Sequence, residues 1–160
     1  MADSSDRTAF PTHGRLLGLD YGSKRIGLAV SNADQTISSP VENYTRRDEP
    51  QDARYLKRMA EEYRIVGIVV GLPVHMSGQE GEKARSAREF GEWAATATTL
   101  PICFWDERFT SAMAEEQLQE AGLTKKQRKA RLDMLAAQIM LQTYLESTSR
   151  ELPPGSMTDS

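Results

Sequence analysis

Apolar residues recur along this chain with two different periods, and the change between them predicts the order of strands and helices. Short runs of continuous or alternating apolar residues predict strands, whereas apolar residues three and four positions apart predict helices. The predicted strands are Leu16–Tyr21, Arg25–Ser31, Val41–Thr45, Ile65–Pro73 and Leu100–Asp106. The predicted helices are Gln51–Arg64, Glu82–Thr96, Ser111–Ala121 and Leu132–Glu146.

This order of elements predicts a mixed β-sheet. Only Gly22-Ser23-Lys24 separates the first two strands, which suffices for a tight turn between antiparallel strands but not for a crossover. The run Ile65–Pro73 has the continuous apolar pattern of a strand buried on both faces. We therefore expect an α/β fold with a five-stranded sheet, three antiparallel strands followed by two parallel ones, and helices on both faces.

The length of the chain and the composition of its ends predict one folded domain. A chain of 160 residues suits a single domain with a sizeable core. The polar start of the chain predicts a disordered leader over residues 1–13, and the tail containing Pro153-Pro154-Gly155 predicts disorder over 148–160. Residues 14–147 are then the domain.

Composition narrows the class of partner. No apolar run approaches the roughly 20 residues of a membrane helix, so no membrane contact is expected. The single cysteine, Cys103, cannot form an internal disulfide and fits a reducing cytoplasm. Because the formal net charge is −3, any binding to nucleic acid must depend on local basic patches.

Three carboxylates lie where predicted elements begin or end. Asp20 is near the end of the first strand, Glu107 follows the fifth strand, and Asp133 is in the first turn of the predicted last helix. Such ends meet at one edge of a parallel crossover sheet, where three carboxylates repel one another unless a divalent cation lies between them. Mg²⁺ or Mn²⁺ prefers oxygen ligands. Each acid also has a simpler interpretation, as a turn residue, a partner of Arg108, or a residue favoured by the helix dipole.

Four motifs then occur in order along about Leu17 to Leu145. They read "LGLDYGSKRIGLAVS", "IVVGLPVHMSGQEGEKA", "DERFTSAMAE" and "RLDMLAAQIMLQTYL". By these motifs the chain resembles the YqgF family, also called RuvX, whose members are described as nucleases of pre-ribosomal RNA or as Holliday junction resolvases on a ribonuclease H-like fold. One departure concerns the established junction resolvases of that superfamily. Their middle acid ends the fourth strand, where this chain has Gly71-Leu72-Pro73.

The resemblance implies a metal-dependent endonuclease with Asp20, Glu107 and Asp133 as catalytic and metal-binding residues. Two Mg²⁺ or Mn²⁺ ions about 3.5–4 Å apart could activate a water and stabilise the leaving oxygen of a phosphodiester. The expected substrate is pre-16S ribosomal RNA, with association with the ribosome and a monomer or weak homodimer. The alternatives are a Holliday junction resolvase acting on branched DNA and a catalytically silent RNA-binding module of the same fold.

Basic residues adjoin the three acids in sequence. Lys24, Arg25 and Arg108 are candidates for holding phosphates, although Arg25 could also be a solvated strand residue. The segment "TKKQRKAR" is predicted as a loop that grips phosphates at the rim of the site or is merely solvated. Its candidate contacts are Lys125, Lys126, Arg128 and Lys129, followed by Arg131.

The first predicted hairpin also suggests a different class of protein. Residues "DYGSKRIGLAV" resemble the first phosphate loop of actin-like ATPases and sugar kinases, which share this topology. Those proteins need a second, duplicated domain with its own phosphate loop, and 160 residues are too few to contain it. The nuclease interpretation is therefore preferred.

Overall fold

The computed structural model describes residues 10–73, 77–108, 122 and 124–147, with the side chains of 125–134 outside the description. The strands are β1 (Arg15–Tyr21), β2 (Arg25–Ser31), β3 (Ser38–Thr45), β4 (Ile65–Leu72) and β5 (Ile102–Asp106). The helices in this part of the chain are α1 (Glu49–Glu62), α2 (Glu82–Thr98) and α3 (Lys125–Glu146).

The five strands form one mixed sheet in the order β3-β2-β1-β4-β5. Strands β1, β2 and β3 pair antiparallel, and β4 pairs parallel with both β1 and β5. The predicted fold class is confirmed. Because β4 lies between β1 and β5, the ends of these two strands are separated by the width of one strand.

Alternation along the strands assigns side chains to the two faces of the sheet. In β1, Leu17 and Leu19 belong to the core beneath α1 and α2, whereas Leu16 belongs to the core beneath α3. Asp20 is four positions after Leu16, so its side chain lies on the same face of the sheet as that of Leu16. Its Cβ lies beside Gly27 and Ala137 on the α3 face. The side chain of Asp20 therefore points to the α3 side of the sheet.

Glycines on this face let α3 approach the sheet closely. A Cβ built on Gly18 would lie 3.0 Å from Cβ of Leu141, and one built on Gly27 would lie 3.3 Å from Cβ of Ala137. Both distances are shorter than ordinary van der Waals contact, so larger side chains at these positions would push the helix outward. The two contacts determine which turns of α3 lie over β1 and β2.

The start of α3 differs from the prediction. The helix begins at Lys125 rather than Leu132, so the segment predicted as a basic loop is helical and Asp133 is not in the first turn. Lys, Gln, Arg and Ala are strong helix formers, and a dense run of positive charge does not by itself interrupt a helix. The predicted helix Ser111–Ala121 lies outside the described residues.

The other bounds agree closely with the prediction, apart from β3 and the N-terminal segment. Strand β3 begins at Ser38, before the predicted Val41. Within the predicted leader, Phe10 packs edge-on against Tyr144, with 6.2 Å between ring centroids. No helix in the described ranges is both long and apolar enough to cross a bilayer.

Candidate active site

Asp20 and Glu107 meet at the edge of the sheet where β1, β4 and β5 end. Asp20 pairs with Gly27 across the β1–β2 ladder. Glu107 follows β5 directly, and its backbone N–H donates a hydrogen bond of 3.0 Å to the carbonyl of Leu72, which extends the pairing with β4. The side chains of Asp20 and Glu107 are joined by a hydrogen bond above the intervening strand.

Gly71 leaves the space that the Glu107 side chain occupies. A Cβ built on Gly71 would lie 2.7 Å from Cδ and 2.9 Å from Cγ of Glu107, and closer still to Oε2. These separations are too short for any side chain at position 71 to coexist with Glu107 in its present position. The glycine therefore lets Glu107 reach across β4 toward Asp20.

The electrostatics of this pair differ from those of a surface carboxylate. Burial raises the pKa of Glu107 to about 9, and the charge of Asp20, the hydrogen bond to Asp20 and the charge of Asp106 act in the same direction. At neutral pH Glu107 is consequently protonated and donates its proton to the Asp20 carboxylate. A proton on Glu107 relieves the repulsion between the two acids that a bound cation would otherwise relieve.

The neighbouring carboxylate, Asp106, is neutralised by the protein itself. Its Oδ2 lies 2.6 Å from Nη2 of Arg108, and Nε of Arg108 donates hydrogen bonds to both of its carboxylate oxygens. The guanidinium holds the pKa of Asp106 below its usual range. Arg108, which was predicted to hold phosphates, thus contacts Asp106, and Asp106 is a poor substitute for either member of the buried pair.

The Asp20–Glu107 pair lines a cleft of about 520 Å³. Its walls include Ser23 of the β1–β2 turn and, from the start of α2, Lys83 and Ser86. A second cavity of about 300 Å³ lies on the hairpin side of Asp20 and is lined by Lys24 and Arg25. Two of the predicted basic residues therefore lie at the rim of cavities that contain Asp20.

Asp133 can be located through its helix alone, since its side chain lies outside the description. Leu141 packs over Gly18, and Ala137 packs over Gly27 beside Asp20. Positions four residues apart lie on one helix face, about 6 Å apart along the axis. Position 133 is therefore one turn beyond Ala137, on the row that runs past Asp20. The side chains of Lys125, Lys126, Arg128, Lys129 and Arg131 likewise lie outside the described residues.

The described side chains alone do not make a three-ligand centre. Among them, no group of three or more His, Cys, Asp or Glu residues is arranged to hold a metal ion. The described part contributes the two carboxylates of Asp20 and Glu107, and Asp133 stays a prediction for the third.

Sequence reasoning missed two basic residues near this edge. Arg46 follows β3, donates to the carbonyl of Gly22 at 3.3 Å, and lies with its guanidinium 5.3 Å from the ring centroid of Tyr21. Lys83 lines the cleft from the first turn of α2. Both residues could have been found from their positions in the sequence, because each lies next to the end of an element at the same edge of the sheet as Asp20.

Comparison with known proteins identifies the family of the chain. The family model described as "RuvX: Holliday junction resolvase" matches residues 14–147. A relative from Rhodopirellula baltica, named "Putative pre-16S rRNA nuclease", is 39% identical over 86% of this chain and 80% of its own length. A relative of the same name from Bradyrhizobium diazoefficiens is 42% identical over 87% of this chain and 86% of its own.

Among solved structures, the Thermus thermophilus RuvC complex with a Holliday junction substrate is similar over 82% of this chain and 92% of that chain, with a TM-score of 0.48 and 16% identity. The human cytomegalovirus terminase nuclease domain matches with a TM-score of 0.49 and 16% identity over 91% of this chain and 89% of that chain.

The five-stranded mixed sheet with the strand order β3-β2-β1-β4-β5 is a ribonuclease H-like fold. The chain belongs to the RuvX family.

Proposed function

We propose that this protein is a metal-dependent endonuclease that hydrolyses phosphodiester bonds of pre-16S ribosomal RNA. The observation that carries the proposal is the pair of Asp20 and Glu107, whose side chains are joined by a hydrogen bond at the edge of the sheet where β1, β4 and β5 end. A protein gains no stability from burying two adjacent carboxylates, so a role for the pair is more economical than a purely structural one.

The donor set of the pair fits a hard divalent cation. Asp20 and Glu107 offer carboxylate oxygens, which Mg²⁺ and Mn²⁺ prefer, and Asp133 would complete the set from α3. Divalent cations held there would activate a water and stabilise the leaving oxygen of a phosphodiester. Gly71 keeps Glu107 in reach of Asp20, and the hydrogen bond between the two acids aligns their oxygens before a cation enters.

The basic residues at the rim would bind the nucleic-acid backbone. Lys24 and Arg25 line the cavity beside Asp20, and Lys83 lines the cleft that contains both acids. Cationic side chains bind phosphates without reading sequence, so they would set the position of the strand. Arg108 and the basic start of α3, including Lys125, Lys126, Arg128 and Lys129, would extend this surface.

The names of the relatives support RNA as the substrate. Each of the two relatives is named as acting on pre-16S rRNA, and both match most of this chain. A pre-ribosomal substrate would place the protein in the cytoplasm, near the ribosome, acting as a monomer or weak homodimer. The description of the matching family supports cleavage of Holliday junctions as the second candidate.

One experiment separates these activities. Purified protein is incubated with a pre-16S ribosomal RNA fragment and with a four-way DNA junction, first with Mg²⁺, then with Mn²⁺, then with a chelator. We expect cleavage of the RNA that requires the metal. Cleavage of the junction alone would favour the second candidate, and binding of RNA in chelator with no cleavage under any condition would identify a silent binding module.

A further inference from the structure

A second cavity opens beside the proposed catalytic cleft, on the opposite face of β1. It has a volume of about 330 Å³ and lies between the C-terminal end of β3, α1 and α2. The lining residues that matter here are Tyr21, Arg46, Ser86, Glu89, Phe90 and Trp93. A cavity of this size is large enough for a small organic group such as a nucleoside.

The cavity and the catalytic cleft share two lining residues. Tyr21 and Ser86 border both spaces. Tyr21 directly follows Asp20, and successive side chains of a strand point to opposite faces. If a phosphate of a nucleic-acid strand lies at Asp20, the adjacent nucleotide is therefore within reach of the cavity.

The cavity is lined by flat groups. Tyr21 and Phe90 have ring centroids 4.8 Å apart, and Phe90 and Trp93 have centroids 5.6 Å apart. The guanidinium of Arg46 lies 5.3 Å from the centroid of Tyr21 and keeps its side chain 30% exposed. Unstacked bases of single-stranded RNA bind to aromatic rings and arginine planes of this kind.

The charges around the cavity exclude a phosphate as its occupant. Arg46 and Arg47 face three carboxylates, those of Glu49, Asp52 and Glu89. Asp52 accepts hydrogen bonds from the hydroxyl of Tyr44 at 2.7 Å and from the backbone N–H of Arg47 at 2.9 Å, and its Oδ2 lies 3.8 Å from Nε of Arg46. Glu89 is exposed on α2, and a glutamate accepts a hydrogen bond from the amino group of a base such as cytosine.

We propose that this cavity binds one base of a single-stranded segment of the substrate and prefers a base with an exocyclic amino group over uracil. The proposal rests on the proposed function, because it takes the substrate to be a nucleic acid whose backbone passes Asp20. The base would lie against the Arg46 guanidinium, which already covers Tyr21, and the half-buried ring of Trp93, with Glu89 as the acceptor for its amino group.

The two tryptophans of the chain allow a direct test. Trp93 lines the cavity, whereas Trp105 lies in the core beneath α3 and donates a hydrogen bond of 2.9 Å to Thr143. Trp105→Phe leaves only the cavity tryptophan, and Trp93→Phe leaves only Trp105, which pairs with Gly71 and lies outside the cavity. Each variant is titrated in chelator, where cleavage cannot occur, with octamers of cytidine or uridine that carry the same backbone charge.

We expect the cytidine octamer to quench the emission of Trp105→Phe to saturation and to change that of Trp93→Phe by less. The uridine octamer should bind roughly five-fold or more weakly, because it lacks the amino group. Unchanged emission of Trp93, or equal affinity for the two octamers, would overturn the proposal.

A pair of surface variants tests the cavity without altering its aromatic wall. Glu89→Gln and Glu92→Gln remove the same charge from exposed positions of the same helix, but only Glu89 lines the cavity. We expect Glu89→Gln to abolish the preference for cytidine and Glu92→Gln to retain it. Retention by both variants would overturn the assignment of Glu89 as the acceptor for the amino group of the base.

A failure of the base site can be distinguished from a failure of the proposed nuclease activity. If metal-dependent cleavage of pre-16S RNA requires Asp20 while Trp93 gives no signal, the nuclease stands and the base site fails. If Trp93 reports binding of cytidine while no condition yields cleavage, the base site stands and the catalytic proposal fails.

Discussion

Two adjacent carboxylates at the end of β5 respond to the protein in opposite ways. Asp106 lies against Arg108, which lowers its pKa, whereas Glu107 is buried against Asp20, which raises its pKa to about 9. One acid lies against a cation supplied by the chain, and the other is buried against a second acid. The comparison indicates that an external cation would bind at the buried pair rather than at Asp106, whose charge Arg108 already balances.

The largest effect is expected from Asp20→Asn. It should abolish cleavage and leave the fold intact or slightly more stable, because it removes one of two neighbouring carboxylates in the metal-free protein. The measurement is cleavage of the RNA fragment alongside thermal unfolding. Asp34→Asn makes the same change in charge on an exposed loop and should be fully active. A folded Asp20→Asn protein with unchanged turnover would refute the mechanism.

Gly71→Ala should act on Glu107 without changing any acid. The added methyl would occupy the position of the Glu107 carboxyl group and displace it by about 1 Å or more, which can reduce turnover about 100-fold. The control is Gly67→Ala on the same strand, where a Cβ would lie 3.1 Å from the ring of Phe10, far from the acids. Equal losses of activity in the two variants would mean that Gly71 serves packing only.

The basic start of α3 should have a smaller effect, on binding alone. Neutralising Lys125, Lys126 and Arg128 together should weaken binding of RNA and flatten its dependence on salt, by about 0.7 in the logarithmic slope for each lost contact to a single strand. Turnover at saturating substrate should change little. A triple variant with the salt slope of the parent would favour a merely solvated helix face.

The two acids of β5 should also give opposite dependences of stability on pH. The folded pKa of Glu107 lies above its unfolded value, so the folded state binds more protons and stability should fall as pH rises from about 4.5 to about 9. Asp106 has a lowered pKa, so its contribution is present at neutral pH and lost in acid. Unfolding by urea at several pH values should show that Glu107→Gln removes the alkaline loss and Asp106→Asn does not. The reverse result would mean that the two environments are wrongly assigned.

The sequence predicted those features that depend on neighbours along the chain. Such local signals are the apolar pattern of β1 and β4, the tight turn at Gly22, and the positions of Asp20 and Glu107 near strand ends. The start of α3 was wrong because the positive charge of Lys125 to Arg131 was taken as a sign of a loop, although these residue types favour helices.

Features that join distant segments could not be predicted in the same way. The shared proton requires Asp20 and Glu107 to meet across β4, and the space at Gly71 has meaning only once Glu107 is known to lie above it. The aromatic cavity likewise joins Tyr21 of β1 to Trp93 of α2. No spacing along the chain encodes these contacts.

The most direct test of the metal site is the number of protons released when Mn²⁺ binds, measured by titration calorimetry at pH 7 in two buffers with different heats of ionisation. Ligation requires an ionised carboxylate, and Glu107 is protonated at this pH in the metal-free protein. We predict release of about one proton per binding event and a loss of that release in Glu107→Gln. Binding of Mn²⁺ with no release of protons, or the same release in Glu107→Gln, would contradict the assignment of the Asp20–Glu107 pair as the cation site.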